Sequence, residues 1–370
     1  MLPSTESDAL HARVQAFMHA SIEGAPPEPF DALALAIARF QRERIPALAR
    51  LALARGVDLA RAREASLIPA VPCDVFRLAR IAAHAPERDA RVFRTSGSTQ
   101  GPGARGEHPL RRTDTYALAA LAWGRRLLFP DHARLRAIVL AAPPAEQPDS
   151  SLGFMLDLFA RTLGGPFTFH VREGALDAAG VQRAANEARA AGDPVILLAT
   201  SFALVHLLEA SAGLDLRLPV GSRVMQTGGF KGRSREVAPD ELRRDVSALF
   251  AVPETHVVSE YGMTELGSQL YEGTLAASLG LLAGPCRHGV YLAPPWVRVT
   301  AVDPASLEAL PDGEIGLARI VDLANVDSAV AIQTADRVRV LAEGVELLGR
   351  APGATPRGCS IAVDEILGRG

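Results

Sequence analysis

A covered α/β body followed by a smaller β-rich section is the architecture this sequence predicts. From about residue 110 to residue 260, short continuous apolar runs alternate with segments of helical spacing. Strands that are apolar throughout, without in-and-out alternation, belong to sheets covered on both faces. After about residue 285 the helical segments cease, and strand-length runs follow one another between turn signals. The expected division is therefore 1–285 for the α/β body and 286–370 for the β-rich section. A chain of 370 residues, 48% hydrophobic and 22% charged, can bury a core of that size.

Residues 8–22 and 30–55 read as helices. In the second, Leu33, Ile37, Phe40 and Ile45 recur at near-helical spacing, with Pro26, Pro27 and Pro29 closing the preceding turn. Pro69 and Pro72 bracket an extended piece ending in Asp74-Val75-Phe76. Helices at 113–129, 151–163, 175–191, 202–211 and 238–250 then alternate with strands at 135–141, 167–171, 195–199, 223–226 and 256–259. In the last section, strands at 297–302, 314–321, 329–333 and 338–341 are separated by turns such as Pro311-Asp312-Gly313 and Glu343-Gly344.

The composition excludes several classes of function. A net charge of −3 gives no electrostatic case for nucleic acid or an anionic membrane. No run approaches the ~20 apolar residues that span a bilayer, and Met1–Asp8 lacks the basic start and apolar core of a secretory leader. Three scattered cysteines, Cys73, Cys286 and Cys359, make neither a disulfide framework nor a zinc site. A cytoplasmic protein is expected.

Four segments carry chemistry. Of the 39 basic residues only one is a lysine, Lys231, and it lies in Gly228-Gly229-Phe230-Lys231-Gly232. Arginine and lysine are not interchangeable where a compact charge is wanted, and paired glycines let backbone approach a ligand. The alternative is a residual surface cation. Arg94-Thr95-Ser96-Gly97-Ser98-Thr99-Gln100-Gly101 offers hydroxyls and unhindered N–H groups to a polyphosphate. It lacks the Gly-Lys-[Ser/Thr] ending of a P-loop, and taken alone it reads first as an ordinary surface loop. Glu260-Tyr261-Gly262-Met263-Thr264-Glu265 follows a strand, at the end where open α/β sheets bind ligands. Tyr261 offers a flat ring, Thr264 a hydroxyl, and Glu265 either a Mg²⁺ ligand or a helix-start carboxylate. Thr334-Ala335-Asp336 ends a strand, and Gly349-Arg350 closes the next segment. Asp336 could accept a pair of ribose hydroxyls and Arg350 could bridge ribose and phosphate. Taken singly, both are ordinary surface charges.

In this order, the segments resemble the motifs of adenylate-forming enzymes: acyl-CoA synthetases, peptide-synthetase adenylation domains and firefly luciferase. The chain resembles LuxE-type acyl-protein synthetases (long-chain-fatty-acid–luciferin-component ligases) more narrowly. That likeness rests on Leu67-Ile68-Pro69-Ala70-Val71-Pro72-Cys73-Asp74-Val75-Phe76, Phe93-Arg94-Thr95-Ser96-Gly97-Ser98-Thr99, Gly228-Gly229-Phe230-Lys231-Gly232, Glu260–Glu265 and Arg357-Gly358-Cys359-Ser360. It implies the N-terminal body of an adenylate-forming enzyme without the C-terminal lid domain. It also implies an ATP- and Mg²⁺-dependent ligase that activates a carboxylic acid, a fatty acid in that family, as acyl-adenylate. Ser96, Gly97, Ser98 and Thr99 would cradle phosphates. Gly228, Gly229, Phe230, Tyr261 and Gly262 would form the adenine slot, with Met263 a further nucleotide-binding residue. Thr264 would meet the α-phosphate, Glu265 the Mg²⁺, and Asp336 and Arg350 the ribose. Cys359 would take the acyl group as a thioester and deliver it to a fatty-acyl reductase partner. Proteins of phenazine pathways look similar too, so the subgroup does not fix the acid.

Two departures matter. The phosphate loop of most of the superfamily carries a lysine, where this chain has only Arg105 nearby, and the lid with its catalytic lysine is missing. Lys231 is then the candidate for charge stabilisation. Cys286 rivals Cys359 as acyl acceptor, although its Gly-Pro turn suggests a structural role, and Cys73 reads as core. A second reading makes the chain a binding module that holds an acid or AMP without turnover.

Overall fold

The computed structural model describes residues 5–95, 105–228, 237–351 and 365–367. Three helices open the chain: α1 (Glu6–Glu23), α2 (Phe30–Arg44) and α3 (Pro46–Ala54). Then come β1 (Val71–Pro72), β2 (Arg91–Arg94), β3 (Glu107–Leu110) and α4 (Asp114–Leu127). The α/β section runs β4 (Leu135–Leu140), α5 (Ser151–Thr162), β5 (Gly164–Phe169), β6 (Val171–Arg172), β7 (Ala175–Leu176), α6 (Ala178–Ala191), β8 (Val195–Thr200), α7 (Ser201–Glu209), β9 (Arg223–Thr227), α8 (Pro239–Phe250) and β10 (Val257–Tyr261). The chain continues through β11 (Leu270–Glu272), α9 (Thr274–Ser278), β12 (Val290–Leu292), β13 (Val297–Val302), β14 (Ile315–Asp322), β15 (Ala331–Leu341) and β16 (Gly344–Arg350).

These elements form two compact units that are discontinuous in sequence. One comprises Met1–Ala122, Met263–Gln269 and Leu292–Gly370; the other comprises Trp123–Gly262 and Leu270–Tyr291. Residues 1–122 thus share a unit with the β-rich section. The motif Tyr261-Gly262-Met263-Thr264-Glu265 is where the chain passes from one unit to the other.

The α/β unit holds a sheet in the order β12-β11-β10-β9-β8-β4-β5, with β10, β9, β8, β4 and β5 parallel. Its central strands are buried from end to end, as in Val195–Ala199 and Arg223–Thr227. Residues of α6, α7 and α8, among them Val181, Ala185, Leu204, Leu207, Val246 and Phe250, pack with Ile138, Leu197 and Val224 of the sheet. The apolar runs in the sequence are apolar because this cover leaves them no solvent face. Helix starts follow capping chemistry: Asp177 accepts the Gly180 N–H before α6, and Thr200 accepts the Ala203 N–H before α7.

In the second unit, β13, β14, β15 and β16 form an antiparallel meander, and β1 adds to it in parallel beside β15. Helices α1, α2 and α3 precede a hairpin of β2 and β3. The expected helix over 30–55 is two, because Pro46 forces Ile45 out of helical geometry (φ −114°, ψ 100°) and then itself suits the first turn of α3. The strands expected at 329–333 and 338–341 are one, β15. A register irregularity between Asp336 and Val338 interrupts its pairing with β16. Asp336 therefore sits at a bulge within a strand, not at a strand end, and bulges re-aim side chains.

One glycine sets a close approach. Between β4 and β5 the register slips after Leu135, and a Cβ on Gly165 would lie 2.1 Å from the Leu135 carbonyl oxygen. Backbone cannot yield there as a flexible side chain would. Gly165→Ala should lower the unfolding free energy by about 2–3 kcal/mol, the range for strained backbone substitutions, as read from urea titrations. A loss below about 0.5 kcal/mol would show that the β4–β5 edge relaxes freely.

Candidate functional site

The carboxyl ends of parallel β8, β9 and β10 fall in register: Thr200 pairs with Thr227, and Thr227 with Glu260. Just beyond this row lie Gly228 and the Tyr261-Gly262 pair, so two segments singled out in the sequence leave one edge of the sheet together. Gly228 has φ 76°, a left-handed conformation that favours glycine, and the Ser201 hydroxyl donates to its carbonyl at 2.8 Å. Tyr261 is half-buried, with its ring edge-on to Tyr291 at 6.3 Å. Within the row, the Thr227 hydroxyl donates to the buried Glu260 carboxyl. Burial pushes the Glu260 carboxyl up to about 7, and the Thr227 hydrogen bond only partly offsets that. Glu272, also buried, shows the opposite outcome. The Arg243 guanidinium (3.2 Å), the His288 ring and the N–H groups of Gly289 (2.6 Å) and Ser259 (3.0 Å) surround it, and they hold its carboxyl below the ordinary value despite burial.

In the other unit, Met263-Thr264-Glu265-Leu266 forms a turn closed by the Leu266 N–H on the Met263 carbonyl at 3.1 Å. Glu265 is not a helix-start residue: no helix follows it. It is buried, and its backbone is held on both sides. His108 Nδ1 donates to the Thr264 carbonyl at 2.6 Å, and Asn325 Nδ2 to the Glu265 carbonyl at 2.9 Å. Asp322 accepts from the Gly267 N–H (2.9 Å) and the Ser268 hydroxyl (2.8 Å), while Trp296 Nε1 donates to Ser268 at 3.1 Å. Burial raises the Asp322 carboxyl to about 6 against these donors, and lowers His108 to about 4.

Asp336 and Arg350 face each other across β15 and β16, with Arg350 Nε 3.8 Å from Asp336 Oδ1. The Asp336 N–H donates to the Thr334 hydroxyl at 3.0 Å. Parallel pairing of Val71 with Ile332 and Pro72 with Gln333 carries the next residue, Cys73, alongside Thr334. The Cys73 sulfur lies 3.9 Å from the Met263 sulfur. Cys73 therefore joins the Thr264–Glu265 turn to the Thr334-Ala335-Asp336 segment, two motifs some 70 residues apart. Burial pushes its thiol well up, and the negative charges of Glu265, Asp336 and Asp74 push it further. Cys73 is a half-buried residue among the motif residues, not simply core.

Ser96, Gly97, Ser98, Thr99, Gly229, Phe230, Lys231 and Cys359 lie outside the described residues. Their flanks are visible. The Ser/Gly loop joins β2 to β3, and at its base the Thr95 N–H donates to the Gly106 carbonyl and the Gly106 N–H to the Thr95 hydroxyl, while Arg105 donates to the Thr95 and Arg94 carbonyls. Arg105 is thus turned to its own hairpin. Ala351 donates to the Ala335 carbonyl, and beyond Cys359 the Arg50 guanidinium meets the Ile366 carbonyl (2.7 Å) and Arg55 meets Glu365 (2.8 Å). Cys286 is half-buried, with its thiol raised by burial. Among the described residues no three His, Cys, Asp or Glu side chains converge as a metal site, and no helix is long and apolar enough to cross a membrane.

The sequence matches the family described as acyl-protein synthetase, LuxE, over residues 62–368. The chain belongs to the LuxE acyl-protein synthetase family. No curated protein matches it. Among solved structures, an open form of 2-hydroxyisobutyryl-CoA ligase with 2-HIB-AMP and CoA aligns over 86% of this chain and 69% of its own, at 14% identity and TM-score 0.63. The same ligase in its thioesterification state aligns over 94% and 69%, at 14% identity and TM-score 0.62. ATP-bound MatB from Rhodopseudomonas palustris aligns over 72% of this chain at 16% identity, with a TM-score of 0.49 that is too low to bear on the fold. The chain spans 49% of that protein's length. At these identities the likeness establishes a shared adenylate-forming ligase fold.

Sequence reasoning missed Cys73, His108, Asp322 and Asn325. A signal existed for the last two: Asp322, Asn325 and Asp327 punctuate an otherwise apolar stretch, and buried polar side chains are there to make hydrogen bonds. Glu260 yields a pH test. Folded, it keeps its proton up to about pH 7; unfolded, it gives it up near 4.5. Folding takes up a proton between those values, so this group's contribution to stability falls as pH rises from about 4.5 through 7. Glu260→Gln, a neutral isostere, removes the fall. Denaturant titrations at pH 5 and 8 should show the wild type losing stability relative to the variant, on the order of 1 kcal/mol per pH unit inside that window. Parallel profiles would mean that Glu260 titrates normally.

Proposed function

We propose that this LuxE-family protein activates a carboxylic acid with ATP and passes the acyl group onward through Cys359. A carboxylate oxygen attacks the α-phosphorus, the bond to the bridging oxygen breaks, and pyrophosphate leaves with the acyl-adenylate formed. A thiolate then attacks the acyl carbonyl, AMP leaves, and a thioester results. The observation that carries this reading is the meeting, around Cys73, of the Thr264–Glu265 turn with the Thr334–Asp336 segment. Residues with no shared local structure are neighbours there, which supports a common role for them.

Within that reading, Thr264 meets the α-phosphate, Asp336 the ribose hydroxyls and Arg350 the ribose–phosphate junction. Gly228, Gly229, Phe230, Tyr261 and Gly262 form the adenine slot, and Met263 is a further nucleotide contact. The Ser96–Thr99 loop holds the outer phosphates and Lys231 neutralises charge at the reacting carboxylate. Glu265 fits Mg²⁺ as a single hard oxygen donor, because that cation keeps water and phosphate as its other ligands. When bound, it would supply charge neutralisation on the phosphates. Catalysis of this kind is alignment and preorganised charge. Burial disfavours the thiolate of both Cys73 and Cys286, which favours Cys359 as acceptor. A fatty acid as substrate and a fatty-acyl reductase as recipient follow from the family likeness.

ATP–pyrophosphate exchange with a panel of aliphatic and aromatic acids should reveal an acid-dependent rate. Glu265→Gln should lower that rate by roughly 10- to 100-fold, the scale of a misplaced charge at a reacting group. Exchange with none of the acids would favour a module that binds without turnover. An unaffected Glu265→Gln would remove that residue from the reaction.

Cys359→Ser should preserve exchange yet lose covalent labelling by a radiolabelled acid, and wild-type label should be released by neutral hydroxylamine, as a thioester is. Label mapping to Cys286 would overturn the assignment, and robust exchange without any label would make the acceptor external.

A further inference from the structure

We propose that His108 and Asn325 are positioning residues that clamp the two peptide groups flanking Glu265, and that through His108 the hairpin bearing the Ser/Gly loop sets the place of that carboxylate. The inference rests on the reading of Glu265 above and concerns what holds it there.

The two carbonyls next to the Glu265 Cα are those of Thr264 and Glu265 itself. Each accepts a hydrogen bond from a buried side chain of another segment: His108 Nδ1 at 2.6 Å and Asn325 Nδ2 at 2.9 Å. Fixing both peptide planes fixes the direction in which Cβ leaves the backbone, and with it the reach of the carboxylate. The donors are themselves held. Asn325 Nδ2 also donates to the Ala329 carbonyl at 3.1 Å, and its own carbonyl accepts from Gln41 Nε2 of α2 at 2.6 Å. His108 pairs with Phe93 across the hairpin and packs edge-on to Phe76 at 5.9 Å.

Because a carbonyl can only accept, the proton of the neutral His108 ring is on Nδ1, and burial keeps the ring neutral by lowering it to about 4. Nε2 has no hydrogen-bond partner among the described residues. The ring's polar capacity toward those residues is thus spent on the Thr264 carbonyl. An ordinary core histidine would be replaceable by an apolar ring of similar size; a clamp would not.

His108 stands in β3, the strand that leaves the Ser96–Thr99 loop. One hydrogen bond therefore ties the strand carrying the proposed phosphate loop to the turn carrying the proposed Mg²⁺ ligand.

The test compares His108→Phe, which keeps a ring and removes the donor, with His108→Asn, whose Nδ2 stands where Nδ1 stood, and with Asn325→Leu. Hydrogen–deuterium exchange over residues 263–269 reads the clamp without any substrate. It should quicken tenfold or more in His108→Phe and Asn325→Leu and stay near the wild-type rate in His108→Asn. In ATP–pyrophosphate exchange, His108→Phe should lower kcat about tenfold or more and raise the half-saturating Mg²⁺, with the KM for the acid unchanged and His108→Asn restoring most of the rate. If His108→Phe fails to fold, His108→Asn against His108→Gln decides, since glutamine's donor lies where Nε2 was. Equal behaviour of these two, or unchanged protection in His108→Phe, overturns the clamp. A wild type that protects residues 263–269 but exchanges with no acid overturns the parent reading and leaves the clamp standing.

Discussion

Asp322 is a carboxylate without exposure, and the segment after the Tyr-Gly motif is arranged around satisfying it. A buried charge without donors costs several kcal/mol. Here the Gly267 N–H, the Ser268 hydroxyl and the Ala324 N–H all point at it. That requirement draws residues 266–268 against the connection between β14 and β15, so closely that a Cβ on Gly267 would lie 2.7 Å from the Ala324 Cβ. The Thr264–Glu265 turn is one step away and inherits its place. The same connection continues to Asp327, which accepts from Ser7 (2.5 Å), His11 (2.9 Å) and Arg111 (3.1 Å). These donors hold the Asp327 carboxyl at about 2 despite burial. Helix α1 is thus bonded, through Ser7 and His11, to the connection against which the motif packs.

The α/β unit solves the same problem in two ways. Glu272 is ringed by a guanidinium, an imidazole and two backbone N–H groups, and stays a carboxylate. Glu260, one row from the carboxyl edge, is given a single hydroxyl, and its proton is held instead. Burial is common to both, so the number and charge of donors decides the ionisation state. Strongly displaced carboxyl groups at the ligand-binding edge of a parallel sheet are a recurrent mark of functional sites. Glu260 stands directly before Tyr261, at the point where β10 gives way to the motif.

Sequence patterns disclosed the α/β alternation because burial on both faces imposes continuous apolar strands, and capping residues such as Asp177 and Thr200 announce helix starts. The β2–β3 hairpin was hidden, since four-residue strands flanking a glycine-rich loop carry little pattern. β15 was split in two because Asp336 and Arg337 interrupt its apolar run; in the fold they occupy a bulge. Of the proposed site, Thr264, Glu265, Asp336 and Arg350 stand in short local motifs, which is why the sequence offers them as candidates. Cys73 was not legible in that way, for its place depends on the parallel pairing of two-residue β1 with β15, a contact spanning some 260 residues. His108 and Asn325 act across similar distances, and no local spacing encodes a partner that remote.

The contacts of Arg50 with Ile366 and of Arg55 with Glu365 join positions 316 and 310 residues apart. The entropy of closing a loop grows only slowly with its length, but contacts so remote in sequence form late, once the elements between them are in place. Residues 365–367 therefore report on completed folding of the unit they share with α3: a probe placed there would register the last step of assembly, not the first.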